Sequence, residues 1–225
     1  MWGGDARMNA QTQKFTLEGP AGTLEALWDA PAGMDGQPAL GTAVIAHPHP
    51  LFGGTMDNKV VQTMARAFVQ AGWCALRFNF RGVGNSQGSY DEGRGELEDL
   101  LAVAQSHAPS GPLSLAGFSF GAFVAGAAAV RLHMQRDVEH LVLVGAAASR
   151  FNLEQVPVSL RPRTLLVHGE VDDTVPLSAV MDWARPQNLP VTVLPGCSHF
   201  FPGQLPLLRQ VICGGIAAHR VTVTT

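Results

Sequence analysis

The segment Gly117-Phe118-Ser119-Phe120-Gly121 sets a hydroxyl between two glycines, each two residues away. A serine hydroxyl is a weak nucleophile and attacks a carbonyl carbon only when a base takes its proton, so the segment points to acyl transfer through a covalent intermediate. The G-x-S-x-G spacing suits a sharp turn with strained dihedrals, because side chains at positions 117 and 121 would collide across it. Leu113–Leu115 before it reads as a strand and Gly121–Leu132 after it as a helix. In that setting Ser119 stands at the carboxyl end of a sheet and above a helix N-terminus, where the backbone carries partial positive charge. The bland alternative is a chance glycine pair in a chain with 25 glycines. The strand–turn–helix context argues against it.

A base and an acid must complete such a site. The chain has 8 histidines, and only His199 and His219 follow the acid candidates in the order serine, acid, histidine. His219 falls on the closing helix expected over 205–219, which would hold it away from the turn. His199 lies in Pro195-Gly196-Cys197-Ser198-His199-Phe200-Phe201, a loop directly after the last expected strand. The acid must hold the imidazole in one tautomer and stabilise the imidazolium. Asp172 and Asp173 both follow the strand that ends at Val167. One of them is expected to face His199, and the other to cap the helix beginning near Pro176 or to bond within its own loop. The earlier strand end at Val144 is followed by Gly145-Ala146-Ala147-Ala148-Ser149-Arg150, which offers no carboxylate.

Taken in order, Gly-Phe-Ser-Phe-Gly at 117–121, His168-Gly169-x-x-Asp172-x-x-Val175-Pro176 and Gly196-x-x-His199 resemble the α/β-hydrolase superfamily across nearly the whole chain. The run His47-Pro48-His49-Pro50-Leu51-Phe52-Gly53-Gly54-Thr55-Met56-Asp57-Asn58-Lys59 resembles a family of small, lidless bacterial serine hydrolases. Arg77–Ser86 matches a strand-and-turn signature common in the superfamily. The resemblance implies a Ser119–His199–Asp172 triad, with Asp173 as the alternative acid. With little room for a lid, hydrolysis of small carboxylic esters without a cofactor is expected, with thioesters or small amides and peptides as alternative substrates. A weakly active binding protein on the same fold is the rival from another class, since architecture alone does not dictate function.

Two backbone N–H groups must stabilise the oxyanion. The first is expected from Phe120, directly after the nucleophile. The second is expected from the loop after the strand at 42–46. Pro48 and Pro50 have no N–H, which leaves His49 and Leu51. By analogy with the usual His-Gly-x arrangement, in which Pro48 replaces the glycine, His49 is the nearer match. Phe52 and Phe200 flank the catalytic loops and are expected to line an apolar acyl pocket. His47 and His49 share one side of an extended segment, but no full ligand set accompanies them, so no metal is expected. Cys197 lacks the helix N-terminus that activates a thiol and reads as a small loop residue.

The elements needed to position these groups are present. A hairpin is expected from Lys14–Glu18 and Thr23–Trp28 around Gly19-Pro20-Ala21-Gly22. A Pro/Gly-rich stretch, 31–38, follows it. Strands are then expected at 42–46, 73–78, 113–115, 141–144, 164–167 and 191–194. Helical patterns at 60–68, 92–107, 121–132, 177–184 and 205–219 alternate with them. That alternation means α/β class, with a mostly parallel central sheet and helices on both faces. About twenty residues separate the strands at 141–144 and 164–167, leaving room for little or no cap domain.

The 225 residues suit a single domain over 14–225 behind a disordered tail over 1–13. Apolar residues make up 46% and charged ones 15%, enough for a buried core and too little charge for a disordered chain. With net charge −3 and no basic cluster, neither nucleic acid nor an anionic membrane is an expected partner. The uncharged run Leu113–Val130 reaches spanning length, but its glycine and serine interruptions fit a buried strand–turn–helix better. Three scattered cysteines and an N-terminus without an apolar signal segment lead to the expectation of a cytoplasmic protein.

Overall fold

The computed structural model describes residues 12–32 and 38–221. Residues 1–11 of the expected tail, and 33–37 of the Pro/Gly-rich stretch, lie outside them. Backbone pairing is already established at Gln13, where the first strand begins.

Among the described residues, eight strands form one sheet: β1 (Gln13–Gly19), β2 (Gly22–Asp29), β3 (Thr42–Ala46), β4 (Cys74–Phe78), β5 (Leu113–Phe118), β6 (Val138–Val144), β7 (Thr164–Gly169) and β8 (Val191–Leu194). Their spatial order is β1-β2-β4-β3-β5-β6-β7-β8. β1 and β2 form the expected hairpin, β2 meets β4 antiparallel, and all pairs from β4 to β8 are parallel. β3 therefore sits between β4, which follows it in the chain, and β5, which comes later. A crevice opens at such a reversal of strand order, outside the carboxyl ends of the strands.

Among the described residues, five helices cover the sheet: α1 (Lys59–Gln70), α2 (Arg94–His107), α3 (Phe120–Leu132), α4 (Leu177–Ala184) and α5 (Leu205–Val221). Two buried clusters divide them by face. Val60, Val61, Met64 and Phe68 of α1 pack with Leu208, Ile212 and Ile216 of α5 on one side. Leu97, Leu100 and Val103 of α2 pack with Val124, Ala125 and Ala128 of α3, and with Val180 of α4, on the other. The start of α1 is explained locally: the Asn58 side chain accepts from Val60 N–H at 2.9 Å, satisfying an otherwise orphaned donor. α2 begins at Arg94, two residues later than expected. Glu96 reaches back to accept from Asp91 and Gly93 N–H at 2.9 and 2.7 Å, and Gly93 at φ 94° supplies the turn before it.

β5 is buried along all six residues, and α3 is buried along most of its length. This accounts for the uncharged run at 113–130. Among the described residues no helix is long and apolar enough to cross a membrane. The connection from β6 to β7 holds only turns and a short 3₁₀ segment, Val158–Arg163, so no cap domain covers the sheet edge.

One buried ion pair was not visible in the composition. Arg77, on β4, donates to Asp29 at 3.0 Å and to the Met56 carbonyl at 3.0 Å, with both charged side chains fully buried. It ties the segment before α1 to the sheet. Removing either partner would strand a charge in the core.

Candidate active site

Ser119 occupies the turn between β5 and α3 with φ 57° and ψ −115°. That is a sparsely populated conformation for a residue with a side chain, and the surroundings hold it in place. Ser119 N–H donates to the Val144 carbonyl at 2.9 Å. A Cβ on Gly117 would overlap the Gly121 carbonyl, and one on Gly121 would overlap the Ala46 carbonyl. Both glycines of the pentapeptide are therefore dictated by close backbone approach.

The loops after β7 and β8 are laced together by backbone. Glu170 N–H donates to the Leu194 carbonyl and Val171 N–H to the Cys197 carbonyl, each at 3.0 Å. This brings together Asp172 and His199, which are 27 residues apart in the chain. His199 Nδ1 lies 2.7 Å from Asp172 Oδ2, and His199 Nε2 lies 3.0 Å from Ser119 Oγ. All three residues are buried. The other Asp172 oxygen, Oδ1, accepts from Thr174 N–H at 3.0 Å and Val175 N–H at 2.8 Å. Burial alone would raise the pKa of this carboxyl. The hydrogen bonds from His199 and Val175 outweigh it and hold the group below its ordinary value. Asp173 is exposed, and among the described residues its carboxylate accepts only from Thr174 Oγ1, at 3.3 Å. The structure thus separates the two aspartates that the sequence left side by side.

His168 was read only as part of a motif, yet it stands directly behind this chain. It is fully buried. Its Nε2 donates to the Val175 carbonyl at 2.8 Å and lies 3.4 Å from Asp172 Oδ2. Burial pushes its pKa down despite the Val175 carbonyl and the Asp172 charge, so it is neutral behind the carboxylate. Its position four residues before Asp172 is the sequence signal that could have identified it.

The two histidines of the 47–49 loop divide their work as residues two apart cannot reveal from sequence. His47 is fully buried; its Nδ1 donates to the Pro48 carbonyl at 2.6 Å, and its Nε2 accepts from Phe80 N–H at 3.1 Å. Burial depresses its pKa to about 4, against the opposing pull of the Pro48 carbonyl. Both ring nitrogens are engaged in bracing the loop. Among the described residues no three His, Cys, Asp or Glu side chains form a metal-binding group.

His49 faces the crevice. Its Nδ1 accepts from Leu51 N–H at 3.2 Å, so its proton sits on Nε2 and is donated to Tyr90 Oη at 3.1 Å. Leu51 N–H, the other expected oxyanion donor, is thereby engaged by the His49 ring. The backbone N–H groups of His49 and Phe120 have no acceptor among the described residues.

Beside Ser119 lies a cavity of about 380 Å³. Its walls are largely aromatic: His49, Phe52, Phe120 and Phe151, together with Ala147 and Val175. The His49 ring is the hub, with centroids 4.8 Å from Phe52, 5.0 Å from Phe120 and 6.0 Å from Phe151. Phe200 was expected in this wall and is not part of it. Its ring packs edge-on to Phe118 and His199, at centroid distances of 5.7 and 5.1 Å, and steadies the imidazole from outside. Phe151 and Arg150, which also lines the cavity, were not singled out in the sequence. They lie in the β6–β7 connection, which carries no motif of its own. Cys197 is buried, and burial raises its thiol pKa, the opposite of what a nucleophilic thiol requires.

An eight-stranded α/β sheet without a cap, with a hydrogen-bonded serine, histidine and aspartate at its carboxyl edge, defines the class as α/β hydrolase. The comparisons agree. Over 93% of this chain and 95% of the other, the fold matches a lidless α/β serine hydrolase from Xanthomonas campestris, with TM-score 0.82 and 36% identity. An α/β serine hydrolase homologue from Coxiella burnetii is 40% identical over 90% of this chain and 96% of its own, with TM-score 0.78. An uncharacterized protein of Rickettsia prowazekii is 32% identical over 203 residues, 82% of this chain and 80% of the relative. A thioesterase-domain profile matches residues 97–174. The chain belongs to the lidless α/β serine hydrolases.

Proposed function

We propose that the protein hydrolyses small carboxylic esters through an acyl-enzyme on Ser119. The observation that carries this reading is the continuous chain Ser119 Oγ–His199 Nε2–His199 Nδ1–Asp172 Oδ2, at 3.0 and 2.7 Å, opening on an aromatic cavity.

His199 Nε2 takes the hydroxyl proton as Ser119 Oγ attacks the carbonyl carbon. Asp172 keeps the Nδ1 proton in place and stabilises the imidazolium that results. The negative charge moves to the former carbonyl oxygen, where Phe120 N–H and His49 N–H donate to it. Such donors are each worth several kcal/mol of barrier because they need no reorganisation as charge develops. The tetrahedral intermediate collapses, and His199 passes its proton to the departing alkoxide. A water molecule then loses a proton to His199, attacks the acyl carbon and releases the acid. His199 returns the proton to Ser119. Phe52, Phe120 and Phe151 receive the acyl group. No step requires a cofactor.

A second reading, thioester hydrolysis, is favoured by the thioesterase-domain match over residues 97–174. It uses the same residues and differs only in the leaving group. The test common to both is covalent labelling by a fluorophosphonate. Wild type is expected to label and Ser119→Ala not to; equal labelling of the two proteins would refute the nucleophile. Turnover of p-nitrophenyl esters against acyl thioesters then decides between the readings.

A further inference from the structure

One charged residue, Arg150, lines the cavity beside Ser119. Every other lining residue is uncharged or a histidine, and none is a carboxylate. Arg150 is exposed, whereas the Ser119 end of the cavity is buried, so Arg150 belongs to the solvent end. Its backbone is held by a hydrogen bond from Arg150 N–H to the Ala147 carbonyl at 3.0 Å, in the tight turn after β6. Among the described residues its guanidinium has no carboxylate or carbonyl partner. Arg77, Arg81, Arg94, Arg163 and Arg185, by contrast, all pair with carboxylates.

Resting on the acyl-enzyme reading above, we infer that Arg150 makes this site selective for substrates carrying an anionic group at the end remote from the scissile carbonyl. The physical case has three parts. A guanidinium presents a fork of donors that matches the geometry of a carboxylate or phosphate. Aromatic walls exclude water around the bound substrate, which raises the value of a charge contact at the mouth above that of an ordinary surface pair. The net charge of the whole chain is −3, so no general attraction draws anions to the protein, and a local cation is what distinguishes this opening. The hydrocarbon part of the substrate fills the aromatic cage, and its anionic terminus meets Arg150. That terminus is either a carboxylate on the acyl chain or a phosphate on the leaving alcohol or thiol.

Two matched substrate pairs distinguish these sources. The p-nitrophenyl monoester of adipic acid is compared with p-nitrophenyl hexanoate, which lacks the carboxylate. Butyryl-coenzyme A is compared with S-butyryl-N-acetylcysteamine, which lacks the phosphates. Wild type is expected to favour the anionic member of one pair. Arg150→Gln is expected to lower kcat/KM for that member about tenfold, as for loss of a charge-assisted hydrogen bond, and to leave its neutral counterpart within about twofold. Arg150→Lys should recover part of the preference, and added salt should erode it. The pair that responds identifies the source. If Arg150→Gln leaves the anionic-to-neutral ratio of both pairs unchanged, the inference is wrong. Failure of the underlying reading has a different signature: Ser119→Ala would still hydrolyse the neutral ester.

Discussion

Replacing Asp172 with asparagine isolates the contribution of one oxygen. In the wild type, Asp172 Oδ1 accepts from Thr174 and Val175 N–H, and Oδ2 accepts from His199 Nδ1. Asparagine has one oxygen and one NH₂ group at these places. The two backbone donors require the oxygen on their side, because reversing the amide would set NH₂ against two N–H groups. The NH₂ then faces His199 Nδ1, which must become the acceptor. The ring proton moves to Nε2, the nitrogen 3.0 Å from Ser119 Oγ, and that nitrogen can no longer take the serine proton. The fold loses little, since both backbone bonds and the side-chain shape survive. We therefore expect Asp172→Asn to lower kcat by roughly 10³- to 10⁴-fold, about 4–5.5 kcal/mol of barrier. Asp173→Asn should stay within about twofold, as exposed substitutions generally do. Initial rates on p-nitrophenyl butyrate, paired with thermal unfolding by circular dichroism, measure both. The reasoning is refuted if folded Asp172→Asn retains more than a tenth of wild-type turnover, or if Asp173→Asn falls as far.

Two further outcomes concern the scaffold. His47 is neutral in the fold, with its pKa depressed to about 4 from 6.5. Between those values the unfolded chain binds a proton that the folded one refuses. Its stability contribution is therefore full above about pH 6.5 and is lost as pH falls toward 4. His47→Gln should unfold more readily at neutral pH and show a shallower decline across that window in denaturant titrations. An unchanged slope would count against His47, leaving His168, which is depressed in the same direction, as the source. Gly121→Ala should destabilise by about 2–4 kcal/mol, because its Cβ would meet the Ala46 and His47 carbonyls. Gly126→Ala, in the same helix with open space at its Cβ, should be neutral or stabilising by up to about 1 kcal/mol. Equal denaturation midpoints for the two variants would show that the turn is not tightly packed.

Much of this protein was legible from residue types and spacing. Period-2 and period-3.6 patterns are local, and they placed the strands and helices to within a few residues. The elbow at 117–121 was legible because its glycines answer a steric demand within five residues. β5 was expected only over Leu113–Leu115 and extends to Phe118. Its last residues include Gly117, a poor strand former in isolation that a central, buried strand tolerates.

Side-chain direction was the part that tertiary structure alone decided. Asp172 and Asp173 are adjacent in sequence; the motif resemblance pointed to Asp172, and the Cys197–Val171 and Leu194–Glu170 backbone bonds bring its carboxylate to His199. His47 and His49 are two residues apart, yet one braces Phe80 from inside while the other forms a cavity wall, because the Pro48 carbonyl captures the first ring. Leu51 N–H is engaged by the His49 ring through a contact that no spacing rule anticipates, and Phe200 packs onto the imidazole. Phe151 and Arg150 complete the cavity from a connection with no periodicity, placed there by the neighbouring ends of β5, β6 and β7. The sequence by itself determined the class of chemistry, since a nucleophile, an acid and a base are residue types in a chain order. The tertiary structure decided which groups point at one another. Hydrogen-bond direction and burial depend on neighbours that are distant along the chain.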